Sequence, residues 1–221
     1  IYNINDLNEY KISDNYVFIL SPQHYFNNVN KLLEITNECK FIYYNMEQMK
    51  SRISFKNKEK YNKQYIELTN KLISNSLICF DYNEDNLTYF NNTIYLPPPV
   101  ITNNNKCDKI YDILFIGLFL ENTRRYYIIN NLKRFFKIKI EYNKTGIELT
   151  EIINQSKVVL NLHYFDENTL LEEVRLNEII NSDTHILSEL PHIDVDAMKE
   201  KYKDRVTFIN IIEKPNKIIK K

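Results

Sequence analysis

Short apolar runs rich in β-branched and aromatic residues recur along the chain, and amphipathic segments lie between them. In the first half the runs are Y-V-F-I-L (16–20), K-F-I-Y-Y (40–44), S-L-I-C-F (76–80) and T-I-Y-L (93–96). Each run has the length and composition of a buried β-strand. The segments from Phe26 to Cys39 and from Asn57 to Ser74 place apolar residues three and four apart, which predicts helices.

A second alternating series follows in the other half of the chain. Its predicted strands are D-I-L-F-I-G (112–117), K-I-K-I-E-Y (137–142), K-V-V-L-N-L-H-Y (157–164), H-I-L-S-E (185–189) and V-T-F-I-N (206–210). Helices are predicted over residues 123–135, 149–155 and 170–181. Strands that alternate with helices favour an α/β fold with parallel sheets that are covered on both faces.

The run L-P-P-P-V (96–100) separates the two series. Three consecutive prolines fix φ and remove three amide donors, so the run predicts a linker, about residues 97–105. We expect two Rossmann-like domains, residues 1–98 and residues 99–205, the first reduced or truncated. Residues 206–221 are expected to form a final strand and a tail that packs back toward the first domain. One continuous sheet is the alternative.

Charge and cysteine content narrow the classes of partner. The 29 basic and 29 acidic residues cancel, so no overall attraction to nucleic acid or to an anionic membrane is expected. Cys39, Cys79 and Cys107 lie far apart, which indicates neither a zinc site nor a disulfide framework and favours a reducing, cytoplasmic compartment. No apolar run reaches the roughly 18 residues that span a bilayer. The chain begins with Ile1 rather than Met, as a piece of a longer protein would.

One of only two glycines lies at the end of a predicted strand. In an open parallel sheet, ligands bind beyond the carboxyl ends of the strands. Gly117 would let the backbone turn sharply beside a phosphate. Arg124 and Arg125 follow at the entry to the next helix, where a guanidinium fork can clamp a diphosphate. The alternative is a plain turn with two solvated arginines, because one glycine is not a G-x-G-x-x-G fingerprint.

Further polar residues are expected at the same edge of the sheet. His163 and Tyr164 end a predicted strand, so they would face the same crevice as Gly117. In the next helix Glu172, Arg175 and Glu178 are spaced by three, which keeps them on one side. A carboxylate there could hold the ribose hydroxyls, and Arg175 could meet a phosphate or pair with a glutamate. The alternative is a row of i,i+3 ion pairs on a solvated helix face.

The succession of these segments resembles the glycosyltransferases of the GT-B type. The segments are Y-N-M-E-Q, S-L-I-C-F-D-Y-N-E-D-N, I-Y-L-P-P-P, D-I-L-F-I-G with R-R, K-V-V-L-N-L-H-Y, E-E-V-R-L-N-E-I-I and I-L-S-E. The resemblance covers residues 16–210, is strongest over residues 112–189, and is closest to compact family 1-like enzymes of bacterial polysaccharide clusters and large DNA viruses. It implies that the second domain binds a nucleotide-sugar and that an interdomain cleft holds the acceptor.

The resemblance also implies roles for particular residues. Glu178 matches the glutamate that holds the nucleotide ribose, and Gly117, Arg124 and Arg125 match the loop beside the diphosphate. The E-x7-E pair of many retaining members is incomplete, because Leu170 lies eight positions before Glu178. Its first role would fall to Glu172 or be absent. The usual glycine-rich loops are missing, and the first domain offers only four predicted strands.

The implied reaction transfers a sugar from a nucleoside diphosphate, with UDP favoured, to a hydroxyl of a glycan, glycoprotein or lipid-linked acceptor. GT-B enzymes neutralise the leaving diphosphate with basic side chains and helix N-termini, so no tightly bound metal or other cofactor is expected. The motif D-V-D (194–196) is predicted to cap a helix near Ala197. An inverting enzyme would need a general base, for which His24 and Glu47 are the candidates.

Two other classes of function stay open. A non-catalytic nucleotide- or glycan-binding module, or one part of a larger protein, would explain the missing glycines and the small first domain. An epimerase or dehydrogenase would need a dinucleotide fingerprint after the first strand, and S-P-Q-H-Y-F is not one. The sugar, the stereochemistry and the oligomeric state are not decided by the sequence.

Overall fold

The computed structural model describes residues 17–20, 29–49, 59–97, 107–164, 169 and 171–211. The chain divides into two compact units, Ile1–Pro98 and Pro99–Lys221. The described strands form two separate parallel sheets, one in each unit. The predicted α/β class with parallel sheets is therefore confirmed, and the alternative of one continuous sheet is wrong. Residues 98–105 of the predicted linker lie outside the described part of the chain.

The sheet of the first unit has four parallel strands in chain order, β1-β2-β3-β4. The strands are β1 (Val17–Leu20), β2 (Phe41–Asn45), β3 (Ile78–Asp81) and β4 (Thr93–Tyr95). Between them lie α1 (Val29–Glu38), α2 (Glu59–Asn75) and a short 3-10 helix (Glu84–Thr88). The last residues of β2 and β3, Asn45 and Asp81, are partners in the register.

Helix α2 covers the first sheet because its apolar residues recur at helical spacing. Tyr65, Leu68 and Leu72 lie three and four positions apart, and all three are buried. The core that α2 shares with the strands and α1 consists of Ile19, Leu32, Phe41, Tyr43, Leu68, Leu72 and Cys79. Burial of this set explains why the strand runs are almost continuously apolar.

The second unit has a five-stranded parallel sheet with a different order, β6-β5-β7-β8-β9. Its strands are β5 (Tyr111–Ile116), β6 (Ile138–Glu141), β7 (Ser156–Asn161), β8 (His185–Glu189) and β9 (Val206–Ile209). Its helices are α3 (Arg124–Leu132), α4 (Gly146–Asn154), α5 (Glu173–Ile179) and α6 (Val195–Lys201). The order reverses between β5 and β7, as in doubly wound α/β folds.

Both faces of β5 are buried, and this pattern defines the layers of the second unit. Leu114 and Ile116 belong to a cluster with residues of α4 and α5. Ile113 and Phe115 point to the other face and pack in a second cluster with Ile128 and Ile129 of α3, among others. A strand in the middle of a sheet that is covered on both faces is apolar wherever it is buried, which is why I-L-F-I (113–116) shows no alternation.

Most of the predicted strands and helices are observed within a few residues of their predicted positions. Helix α4 begins at Gly146, three residues before the predicted start. Helix α6 begins at Val195 after Asp194, which occupies the N-cap position but makes no side-chain capping bond. None of the helices in the described ranges is long and apolar enough to cross a membrane.

Candidate functional site

The candidate site lies where the strand order of the second sheet reverses. Gly117 directly follows β5, and His163 and Tyr164 follow β7, the neighbouring strand on one side. Gly117 has φ +143°, and its N–H donates to the carbonyl oxygen of Glu141 at 2.8 Å. This conformation is strained for any residue with a Cβ, so the turn itself requires glycine. Crevices at such reversals are the usual ligand sites of open α/β sheets.

Two guanidinium groups approach the bare Cα of Gly117. A Cβ built there would lie 3.5 Å from Nη1 of Arg125, 3.5 Å from Nη2 of Arg175 and 3.5 Å from the ring of Phe115. Arg125 comes from the first turn of α3 and Arg175 from the first turn of α5. The fold therefore brings together three predicted site residues that are up to 58 positions apart in the sequence.

Arg125 is the most buried cation of this cluster, with 3% of its surface exposed. Its Nε donates to the carbonyl oxygens of Leu162 and His163, both at 3.1 Å. The guanidinium carbon lies 5.5 Å from the ring centre of Phe115 and 5.2 Å from that of Tyr164. Burial lowers the pKa of Arg125 to about 10, so it stays charged at neutral pH. The alternative of two solvated arginines is wrong.

Arg175 is held by a strand residue and by a neighbour on its own helix. Its Nη1 donates to Oδ1 of Asn161 at 2.7 Å, and its Nη2 lies 2.6 Å from Oε2 of Glu172. The i,i+3 pair of the alternative interpretation thus forms. The helix face is not solvated at this point, however, because the side chain of Arg175 is only 16% exposed. Arg175 is therefore a cation of the crevice.

Arg124 has a different partner from Arg125. Both of its terminal nitrogens donate to the carboxylate of Glu189, the last residue of β8. Oε2 of Glu189 also accepts from the backbone N–H of His163 at 3.2 Å. The pair ties the start of α3 to the ends of β7 and β8, and it neutralises Arg124. Arg124 is thus a poorer candidate for a diphosphate clamp than Arg125.

His163 and Tyr164 occupy contrasting positions. The ring of His163 is buried and its Nε2 is 3.1 Å from the carbonyl oxygen of Leu190, which makes this nitrogen the donor. Burial lowers the pKa of His163, so the ring is neutral at pH 7. Tyr164 is 41% exposed and lies against Arg125. The structure thus gives His163 a supporting role and leaves Tyr164 accessible at the rim.

Two other predicted residues are not placed. Glu178 lies within α5, but its side chain is outside the part that the structure describes. Leu170, the position eight residues before Glu178, also lies outside that part. His24 also lies outside the described residues. Their predicted roles stay predictions. Among the side chains that are described, no group of three or more His, Cys, Asp or Glu could hold a metal ion.

A second polar cluster lies at the carboxyl edge of the first sheet. Asp81 is fully buried, and its carboxylate accepts from Asn45 Nδ2 at 2.7 Å, Asn86 Nδ2 at 2.9 Å and the N–H of Asn83 at 2.9 Å. The same two amide groups donate to the carbonyl oxygen of Glu47, from Asn45 at 3.3 Å and from Asn86 at 2.7 Å. This Asp81 cluster fixes the backbone of the predicted base Glu47.

In this cluster the carboxylate of Asp81 is stabilised by neutral hydrogen-bond donors alone. Desolvation raises the pKa of Asp81 to about 6, and the hydrogen bonds from Asn45, Asn83 and Asn86 limit that rise. Burying a carboxylate without a cation is costly, so the three bonds are what keeps it ionised at neutral pH.

Several residues of both clusters were missed by the sequence analysis. In the second unit Asn161 holds Arg175 and Glu189 holds Arg124. In the first unit Asn45, Asp81 and Asn86 form the polar cluster. A usable signal existed for some of them: Asn161 and Asp81 are polar residues inside or at the end of apolar strand runs. A buried polar group must find a partner, so such a residue marks a site of interaction.

Comparison with known proteins adds one relative. No family model matches the chain. The chain is similar to a protein of Acanthamoeba polyphaga mimivirus that bears the name "Uncharacterized protein R358", with 24% identity over 193 residues. The matched region is 85% of this chain and 63% of the mimivirus protein, so the chain spans less than two thirds of that relative's length. That name states no activity.

Proposed function

We propose that the protein is a glycosyltransferase of the GT-B type, in which the second unit binds a nucleoside-diphosphate sugar, with UDP favoured. The observation that carries the proposal is the pair of guanidinium groups, Arg125 and Arg175, beside Gly117 at the reversal of the strand order. A leaving diphosphate needs fixed positive charge around it, and arginine binds phosphate oxygens in bidentate geometry. The resemblance of the sequence to GT-B enzymes supplies the reaction.

In this reaction the bond between the anomeric carbon and the diphosphate oxygen breaks, and a bond to the acceptor oxygen forms. The diphosphate leaves with additional negative charge, which Arg125 and Arg175 stabilise without a tightly bound metal. Glu178, three residues after Arg175 in α5, holds the ribose hydroxyls. In an inverting reaction the acceptor hydroxyl gives its proton to a carboxylate or imidazole of the first unit, for which Glu47 and His24 are the candidates.

The proposal includes the acceptor and the setting. The acceptor is a hydroxyl of a glycan, a glycoprotein or a lipid-linked sugar, and the reaction takes place in the cytoplasm of a cell or of an infected host cell. Nucleic acid has no part in it. The balanced net charge of the chain supports this, since any anion must then be bound by a local group of cations.

The direct test is a panel of UDP-, GDP- and dTDP-sugars, with calorimetry for binding and with donor hydrolysis or transfer as the activity. Arg175→Ala is expected to weaken UDP binding by about 1.5 to 3 kcal/mol, the value of hydrogen bonds to charged groups, and to leave uridine binding unchanged. Lys144→Ala is the matched control, because Lys144 is an exposed cation of the same unit. Absence of binding for every donor would contradict the proposal.

A second candidate function is a nucleotide-binding part of a larger protein without activity of its own. It is favoured by the comparison with the mimivirus protein, of which this chain matches 63%. Binding of one donor without hydrolysis or transfer, over a broad panel of acceptors, would support this candidate instead of the enzyme.

A further inference from the structure

The carboxylate of Glu172 lies between the two cations of the proposed site. Its Oε2 is 2.6 Å from Nη2 of Arg175, and its Oε1 is 3.4 Å from Nη2 of Arg125. Each oxygen of one carboxylate thus faces a different guanidinium group. Two oxygens of a diphosphate would make the same pair of contacts, since phosphate oxygens and carboxylate oxygens are equivalent partners for arginine.

The exposure of the three side chains is unequal. The side chain of Glu172 is 33% exposed, whereas those of Arg125 and Arg175 are 3% and 16% exposed. Glu172 sits at the N-cap position of α5 and makes no capping hydrogen bond there. Its carboxylate can therefore turn into solvent without breaking a helix cap, and hydration compensates it for the lost ion pairs.

The two cations are held in place by groups other than Glu172. Arg125 donates to the carbonyl oxygens of Leu162 and His163, and Arg175 donates to Oδ1 of Asn161. These partners are backbone or buried strand groups, so departure of Glu172 would leave both guanidinium groups where they are. With Glu172 in place the two cations are half neutralised, and without it they present a charge of +2 to an incoming anion.

We propose that Glu172 is an internal counterion that occupies the diphosphate position in the empty site and is displaced when the diphosphate binds. The identity of the ligand as a nucleoside diphosphate rests on the proposed function, whereas the displacement itself concerns any ligand with two anionic oxygens. The role differs from ribose binding, in which Glu172 would accept hydrogen bonds from the ligand and strengthen its binding.

Displacement has a measurable consequence for affinity. We call the state in which Glu172 has turned away from the two arginines the open state. The apparent affinity of a ligand that binds only the open state is reduced in proportion to the fraction of molecules in that state, and removal of the competing carboxylate restores the intrinsic affinity. If Glu172 occupies the site in about nine molecules of ten, Glu172→Gln should bind inorganic pyrophosphate about tenfold more tightly than the wild type. UDP should gain by the same factor, because both ligands displace the same carboxylate.

The experiment compares inorganic pyrophosphate, UDP and uridine by calorimetry with the full chain and its Glu172→Gln and Glu172→Asp variants. Glu200→Gln is the control, since Glu200 is an exposed glutamate near the carboxyl-terminal end of α6 that pairs with Lys203. The expected result is tighter binding of pyrophosphate and UDP, unchanged uridine binding, and no change in the control. A chemical shift change of the Glu172 carboxyl carbon on addition of pyrophosphate to the wild type should accompany it.

Two results would overturn the displacement proposal. Weaker UDP binding with unchanged pyrophosphate binding would assign Glu172 to the ribose, and equal affinities in wild type and variants would remove it from the site. The carboxyl shift in the wild type decides the question if the variants do not fold. A failure of the proposed function gives a different result. Tighter binding of pyrophosphate to the Glu172 variants, without any binding of nucleotide-sugars, would support the displacement of Glu172 and exclude the glycosyltransferase.

Discussion

The carboxyl edges of the two sheets bury charge in opposite ways. In the second unit two arginines meet beside Gly117, and their partners are carbonyl groups, one asparagine and one partly exposed carboxylate. In the first unit a single carboxylate, Asp81, is enclosed by neutral amides and a backbone N–H. The first arrangement can exchange a partner for a ligand, whereas the second is saturated. The same edge of a parallel sheet thus carries the proposed binding site in one unit and a brace in the other.

The largest expected effect is that of Arg125→Met. The substitution keeps most of the volume but leaves the carbonyl oxygens of Leu162 and His163 without their donor. We expect a loss of about 3 to 5 kcal/mol in the free energy of unfolding of the second unit, as for other broken buried charge networks. Denaturant titration measures it. Arg134→Met, at an exposed arginine, is the control and should change the stability by less than about 0.5 kcal/mol.

The pH dependence of stability should report Asp81. Its folded-state pKa of about 6 lies above the unfolded value of about 4, so the folded state binds the extra proton between these values. The contribution of Asp81 to the free energy of unfolding should therefore rise by about 2 to 3 kcal/mol as the pH falls from about 7 to about 4.

The variant Asp81→Asn tests that assignment. It carries a neutral group of the same shape, so this part of the pH dependence should disappear when the unfolding curves of variant and wild type are compared from pH 4 to pH 7. An unchanged pH dependence would show that Asp81 is not the titrating group. Because Asp81 also braces Glu47, amide hydrogen exchange at Glu47 and Met49 should increase in the variant, whose bonds to Asn45 and Asn86 are weaker.

The smallest expected effect on stability is that of Arg175→Ala. It leaves Oδ1 of the buried Asn161 without its donor, which should cost about 1 to 2 kcal/mol. This loss in stability is smaller than that of Arg125→Met because the side chain of Arg175 is partly exposed and has fewer buried hydrogen-bond partners in the wild type. Equal losses for the two arginines in denaturant titrations would contradict the larger structural role that burial gives to Arg125.

Much of the fold could be predicted from the sequence because the strands are buried on both faces. The run I-L-F-I (113–116) is apolar at every position for that reason, and its strand is observed over Tyr111–Ile116. The break at the proline run is local chain chemistry, since proline ends regular structure whatever surrounds it. The strand order could not be predicted, because the pattern of one strand does not identify its neighbours.

The candidate site was predicted in part. The sequence predicts Gly117 and Arg125 from their positions next to a strand and a helix start, and Arg175 from its spacing with two glutamates of a later helix. The structure brings the three residues together. The sequence treated Arg124 and Arg125 as equivalent, yet successive residues of a helix point about 100° apart. That rotation directs Arg124 to Glu189 and Arg125 to Leu162, so only one of them remains beside Gly117.

The sequence by itself determined the alternation of strands and helices, the position of the glycine turn and the presence of cations close to it, because these depend on local spacing and polarity. Only the tertiary structure decided which charges are neutralised. Through strand order and helix rotation Glu172 becomes a partner of Arg125, Glu189 of Arg124 and Asn161 of Arg175. The free energy of a buried charge depends on those contacts rather than on its position in the chain.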